Sequence, residues 1–238
     1  MTSIHFSSFH DYFNDFHPHL MCYSWNGAGK TSFAGRSGLR TVLLDCGDAG
    51  VVTLRGTDTK QLKIIKIKST SHYLEVMDVI NRKADQVELL VPDTLTGLQS
   101  MAIREVKGRG GEMNQRKWGQ VSSKVIECIS ETRMFPNDVI YLAQERRKTR
   151  DEGQGDVTFI TPSLTPGIRE YLSSCVDWVG RIYVEDNKRK ITFVYQESLE
   201  AKDRASLFPK VLNLPPIVNG INPAYGAIRK RIVESIHD

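Results

Sequence analysis

The sequence predicts an α/β fold: a mainly parallel central sheet with helices on both faces and a hairpin towards the C-terminal end. Three observations predict it. Apolar runs of strand length recur at residues 40–45 (RTVLLD), 86–91 (QVELLV) and 138–144 (DVIYLAQ), as buried parallel strands do. Segments of helical period lie between them. A glycine-rich turn at residues 24–31 joins the first strand to the first helix. Ligands in such folds sit at the C-terminal ends of the strands.

Each element follows in order. Residues 1–17 are polar and aromatic without a period and read as an N-terminal arm. His5, His10, His17 and His19 lie in or beside it. A metal site needs more ligands in a fixed geometry, so they read as ordinary surface. A strand at 19–23 leads into the glycine-rich turn, and a helix starts near Lys30. Residues 61–69 (QLKIIKIKS) form another strand. Ser71 caps a helix through Lys83, with Leu74, Met77 and Ile80 on one face. Residues 104–117 (REVKGRGGEMNQRK) read as a mobile basic loop. Val121, Val125 and Ile129 mark a helix over 118–134, ended by Pro136. A charged loop, 145–156, follows the 138–144 strand. Thr165-Pro166 opens a helix with proline at its first position. Residues 176–185 and 190–196 pair as a hairpin about Asp186-Asn187. A basic helix, Ala224–Ile236, closes the chain. The expected division is an arm (1–17), one core (18–196) and a proline-containing extension (197–238).

Composition bounds the function classes. The chain has 238 residues, 40% hydrophobic and 25% charged, which suits one α/β domain with modest additions. It holds no run of about 18 apolar residues, so no membrane span is expected. No basic stretch precedes an apolar one at the N-terminus, so a cytoplasmic location is expected. Cys22, Cys46, Cys128 and Cys175 form no C-x-x-C pair and read as reduced thiols. The net charge of +4, from 32 basic and 28 acidic side chains, permits contact with nucleic acid without arguing for it.

The turn carries the chemistry. Ser24-Trp25-Asn26-Gly27-Ala28-Gly29-Lys30-Thr31 fits G-x-x-x-x-G-K-[ST] except at its first position, where Ser24 replaces glycine. Gly27 and Gly29 let successive backbone N–H groups turn inward around a phosphate. The start of the following helix, with Ser32, adds partial positive charge. Lys30 is expected to reach the terminal phosphates of ATP or a similar nucleotide, and the Thr31 hydroxyl to ligate magnesium. Such a site needs a carboxylate to hold the metal through water. Asp93, ending the strand in VELLVPDT, is the candidate. Pro92 is odd in a central strand and tolerable at its end. Asp93 also suits a helix N-cap.

The order of pieces suggests a family. After the phosphate loop come LLDCGD, VPDTLTGLQ, a Trp118-Gly119 helix, YLAQERRK and PSLTPGIREYLSSCVDWVGRIYV. This order resembles the short RecA-like ATPases of bacteriophages, an AAA-type nucleotide-binding family that includes single-strand-annealing recombinases. The resemblance spans residues 19–196. It implies a RecA-like core, ATP with magnesium, and ATP-dependent binding of single-stranded DNA in phage recombination or replication, hence in the host cytoplasm. Implied partners are single-stranded DNA, further copies of the chain in a ring or filament, and a single-stranded-DNA-binding protein. It implies that Gln144 senses the γ-phosphate, since its amide can both donate and accept. Family members carry a glutamate after the second strand to orient water. Gly47 stands there in this chain, and Asp48, preferred over Asp45, is the substitute.

In RecA-like proteins the loops after the Asp93 and Gln144 strands face DNA. The first carries Arg104, Lys107, Arg109, Arg116 and Lys117, and the second Arg146, Arg147 and Lys148. Phosphate contacts there would be salt-dependent and independent of sequence. Solvated charged faces are the plainer alternative. Trp118 reads either as a base-stacking platform or as core packing. An arginine among 146, 147 and 150 also suits a finger acting on a neighbour's ATP. Two other function classes remain open at this point. A small-molecule kinase would use Arg146–Arg150 as a lid. A nucleotide-gated assembly protein with little hydrolysis would fit Gly47.

Overall fold

The computed structural model describes residues 16–47, 49–58, 60–108, 110–151 and 156–237. Asp48, Arg109 and residues 1–15 of the expected arm lie outside them. Strands β1 (His19–Ser24), β2 (Thr41–Asp45), β3 (Leu62–Lys66), β4 (Leu89–Asp93) and β5 (Asp138–Asp151) come first. They are followed by β6 (Asp156–Pro162), β7 (Trp178–Glu185), β8 (Lys188–Thr192) and the short β9 (Lys202–Asp203) and β10 (Leu212–Asn213). The helices are α1 (Lys30–Gly35), α2 (Thr70–Asn81), α3 (Leu95–Lys107), α4 (Gln115–Arg133), α5 (Pro166–Cys175) and α6 (Ala224–His237).

The sheet runs β10-β8-β7-β1-β5-β4-β2-β3. From β7 to β3 its six strands are parallel. The expected α/β fold is therefore present. β8 folds back antiparallel on β7 through Asp186 and Asn187, both at positive φ (52° and 56°), as a two-residue hairpin turn requires.

Alternation along each strand splits the core in two. Met21, Tyr23, Leu44, Leu90 and Tyr141 face α2, α3, α4 and α5. Leu20, Cys22, Leu43, Val91 and Leu142 face α1 and α6. Cys22, Cys46 and Cys128 are free thiols inside these clusters. Burial pushes the Cys128 thiol up to about 12 and holds Cys46 well above the usual thiol value. Among the described residues no helix is long and apolar enough to cross a membrane.

Several local expectations are corrected. Ser69, not Ser71, caps α2, its hydroxyl accepting from the His72 N–H. Thr94, not Asp93, caps α3 by accepting from the Gly97 N–H. Residues 104–117 are not one loop. Arg104 and Lys107 close α3, Asn114 caps α4, and only 108–114 connect the two helices. The glycines mark that short link and masked the helical pattern on either side. The segment 145–156 is not a loop either. β5 runs on to Asp151 and pairs with β6, from Glu145 opposite Pro162 to Asp151 opposite Asp156. Its charged sequence suits a ribbon exposed beyond the sheet, where polar side chains on both faces cost nothing. Pro92 is interior to β4, one residue before its end. The pairing with β5 holds at Leu89, Leu90 and Asp93 and lapses at Val91 and Pro92, so the missing N–H breaks no bond there.

Residues beyond 196 add to the core rather than sit apart. β9 pairs with β7 and β10 with β8. The Asn222 N–H donates to the Arg36 carbonyl, and its side-chain amide to the Ser32 carbonyl. Chain near the C-terminus thus braces the helix that follows the phosphate loop.

Candidate functional site

β1 delivers the loop at the C-terminal edge of the sheet. Its last residue, Ser24, is fully buried and lies opposite Gln144 of β5. Ser24 Oγ donates to the Trp25 carbonyl at 3.0 Å. The hydroxyl thereby closes the exit from the strand, a place where glycine would otherwise relax the backbone. Gly27 and Gly29 sit at φ 84° and 97°, the left-handed conformation that glycine tolerates. A Cβ at Gly27 would meet nothing within 4 Å, so the loop stays open on that side. α1 is only six residues long. The anion-binding character of the site therefore rests on the loop's own N–H groups more than on a helix dipole.

Lys30, Thr31 and Ser32 are all buried. Thr31 Oγ1 donates to Asp93 Oδ2 at 2.9 Å. The end of β4 and the start of α1 thus bring together the two groups expected to share a magnesium ion. Ser32 Oγ is buried and has no hydrogen-bond partner among the described residues. The hydroxyl is available to an incoming phosphate oxygen.

A feature invisible in the sequence closes this pocket. The 3-10 turn Ala49–Leu54 passes over the Thr31–Asp93 pair. A Cβ on Gly50 would come within 2.4 Å of Thr31 Oγ1 and 3.5 Å of Asp93 Oδ2. The residues fit a magnesium nucleotide: Thr31 and Asp93 supply hard oxygen ligands, and glycine at position 50 keeps a side chain from pressing on the Thr31 hydroxyl. When bound, the metal would neutralise charge on the phosphates. Gly50→Ala is expected to displace the Thr31 hydroxyl, at a packing cost of about 1–3 kcal/mol. Nucleotide affinity should fall about tenfold, and the melting temperature without nucleotide should fall by roughly 2–12 °C. Titration with ATP and magnesium checks this, and wild-type affinity in the variant would remove Gly50 from the site.

The catalytic candidates separate. Gln144 ends the sheet-forming half of β5, beside Ser24. Its backbone N–H donates to Thr96 Oγ1 (3.0 Å), which ties the end of β5 to the start of α3. Asp48 lies outside the described residues. Gly47, at φ 93°, donates its N–H to Asp45 Oδ1 at 2.9 Å. That bond holds the Asp45 carboxylate against its own turn.

The basic candidates also separate. Arg104 and Lys107 are exposed on the last turn of α3, and Arg116 on the first turn of α4. Lys117 Nζ donates to the Glu112 carbonyl at 2.8 Å, so it braces the link between them. Arg146, Arg147 and Lys148 are exposed on β5 beyond the sheet, and alternation sends neighbours to opposite faces. Arg146 lines a cavity of about 630 Å3 with Trp118, Gln115 and the start of α5. Trp118 is 40% exposed there, so it is not core packing. Arg147 lies over the Trp25 ring of the phosphate loop at 5.5 Å. It also donates to the buried Glu145 at 2.7 Å, which Arg181 holds from the other side at 2.8 Å.

Sequence reading missed Glu145 and Arg181, whose pairing joins distant strands. It missed Arg189 as well, which reaches the loop from β8. Among the described residues no three histidine, cysteine, aspartate or glutamate side chains cluster as a metal site. His17, from the expected arm, instead bonds to Asp138 at 3.0 Å.

Comparison with curated proteins gave no match. A family model described as an AAA domain matches residues 17–205, well over half of the chain and all of the site above. With its glycine-lysine-threonine loop and the Thr31–Asp93 pair on a mostly parallel sheet, the chain belongs to the AAA domain family of P-loop ATPases.

Proposed function

We propose that this chain hydrolyses ATP as a RecA-like protein acting on single-stranded DNA, in phage recombination or replication, where it would promote strand annealing. The observation that carries this reading is the Trp118–Arg146 cavity, set beside the exposed cations of α3, α4 and the β5–β6 ribbon. An aromatic face with a guanidinium beside it suits a base and its phosphate. The ribbon is linked to the phosphate loop by the Arg147–Trp25 contact, so a change at the nucleotide has a short route to the basic face. The order of motifs described above supports the RecA-like assignment.

In this reading Lys30 and the loop N–H groups hold the phosphates, Thr31 and Asp93 hold magnesium, and Gln144 senses the terminal phosphate. Asp48 orients the attacking water. Arg104, Lys107, Arg109, Arg116, Arg146 and Lys148 track the DNA backbone. Further copies of the chain, in a ring or filament, would extend the basic track.

The test is ATP hydrolysis with and without single-stranded DNA, beside fluorescence anisotropy of a labelled oligonucleotide over a range of salt. Hydrolysis is expected to rise with DNA. Trp118→Ala is expected to weaken DNA binding by about 1–3 kcal/mol, the value of one stacked base. Arg146→Ala should reduce the salt slope by about 1. If the oligonucleotide neither binds at low salt nor changes the rate, the DNA reading fails. Phosphate transfer to a nucleoside monophosphate would then favour a kinase.

A further inference from the structure

The phosphate loop faces a cavity of about 440 Å3 whose far wall comes from the C-terminal hairpin and extension. Arg189 of β8 and Ile217 form that wall. A Cβ at Gly29 would lie 3.0 Å from Arg189 Nε and 3.2 Å from its Cζ. The guanidinium therefore lies directly against the residue before Lys30, and glycine there is what admits it. Lys30, Arg36 and Arg189 line the cavity, and among the described residues no carboxylate does.

The cations around this wall differ in what they hold. Arg36 donates to the carbonyls of Thr53, Arg55 and Gly220, so its fork braces the fold. Lys190 pairs with Glu185 and Arg181 with Glu145. Arg189 is half-buried, yet makes no ion pair or side-chain hydrogen bond among the described residues. A partly desolvated guanidinium without a counter-charge is costly, and a phosphate is the anion its planar fork matches best.

We propose that Arg189 is a nucleotide-phosphate ligand supplied in cis, by the chain whose own loop binds that nucleotide. This rests on the reading of residues 24–32 as a phosphate site. It places one phosphate-neutralising cation within the subunit, so not every such charge has to come from a neighbour. It also joins the hairpin and the extension to nucleotide occupancy, since the Leu214 N–H bonds to the Arg189 carbonyl at 2.8 Å.

The experiment measures affinity of the full chain for a fluorescent ATP analogue with magnesium, together with the melting temperature without nucleotide. Wild type, Arg189→Ala, Arg189→Lys and Lys30→Ala are compared. Arg189→Ala is expected to bind about tenfold more weakly with its melting temperature unchanged, and Arg189→Lys to fall between it and wild type. If Arg189→Ala does not fold, the loss in Arg189→Lys alone carries the test. Wild-type affinity in both variants, with binding lost in Lys30→Ala, overturns the proposal and leaves the phosphate site standing. No binding by wild type overturns the phosphate site itself. Mixing Arg189→Ala with Lys30→Ala separates cis from trans. Recovery of binding in the mixture would mean that Arg189 serves a neighbouring subunit, which also overturns the proposal.

Discussion

Lys30→Ala is expected to lower ATP turnover by about 100–1,000-fold, the usual cost of removing one preorganised charge from a phosphoryl site. Lys30 is 7% exposed at the start of α1, where the backbone of the loop fixes its direction. A free amine in solution could not replace it without ordering its own side chain first. Asp93→Ala is the informative companion. It removes the acceptor of the Thr31 hydroxyl and the only carboxylate bonded to it among the described residues. Affinity for ATP without magnesium should then stay near wild type, while the gain from adding magnesium disappears. Lys30→Ala should weaken binding with and without the metal. Titration of each variant, with and without magnesium, reads the two roles apart. Turnover that survives in Lys30→Ala would place the reacting phosphates elsewhere, and an unchanged magnesium gain in Asp93→Ala would remove the carboxylate from the metal.

The parts of this site that lie close in sequence were legible. The loop from Ser24 to Thr31 has its spacing fixed by the need to wrap one phosphate, so the local order of residues is enough to read it. Asp93 was legible as an acid followed by a hydroxyl residue at the end of a strand, and the fold sets it against Thr31. The parallel strands declared themselves as apolar runs, because both faces of the sheet are covered. What failed to show was of two kinds. Helix α3 and the β5–β6 ribbon were hidden by composition, since glycine and charge near their ends resemble loop chemistry. Gly50, Glu145 and Arg189 were hidden by distance. Each meets a partner on another element: Thr31 of α1 for Gly50, Arg181 of β7 for Glu145 and Gly29 of the phosphate loop for Arg189. No local pattern marks such pairs, because they are set by how β7 and β8 lie beside β1 and how the Ala49–Leu54 turn crosses α1.

The second large effect is expected far from the phosphates. Asp138 opens β5 at the opposite end of the sheet and is 1% exposed. Its carboxylate accepts from Tyr225 Oη at 2.8 Å, Arg229 Nε at 2.6 Å and His17 Nδ1 at 3.0 Å. Asp138→Ala leaves a buried tyrosine hydroxyl and an arginine without their acceptor, for a loss of about 3–5 kcal/mol. In a chain of this size that is a fall in Tm of roughly 6–20 °C. The loss should concentrate on α6, since both Tyr225 and Arg229 belong to it. Tyr225 also meets Phe33 edge-on at 6.1 Å, and Phe33 lies on α1 directly after the phosphate loop. Undocking α6 therefore loosens the helix that positions Lys30 and Thr31. Asp138→Ala should weaken nucleotide binding at temperatures well below its own Tm, although Asp138 touches no nucleotide. Asp138→Asn keeps an acceptor and should lose less on both measures. If Asp138→Ala melts with wild type, the helix is held by its apolar face alone. If it melts early but binds nucleotide as wild type does, α1 keeps its place without α6.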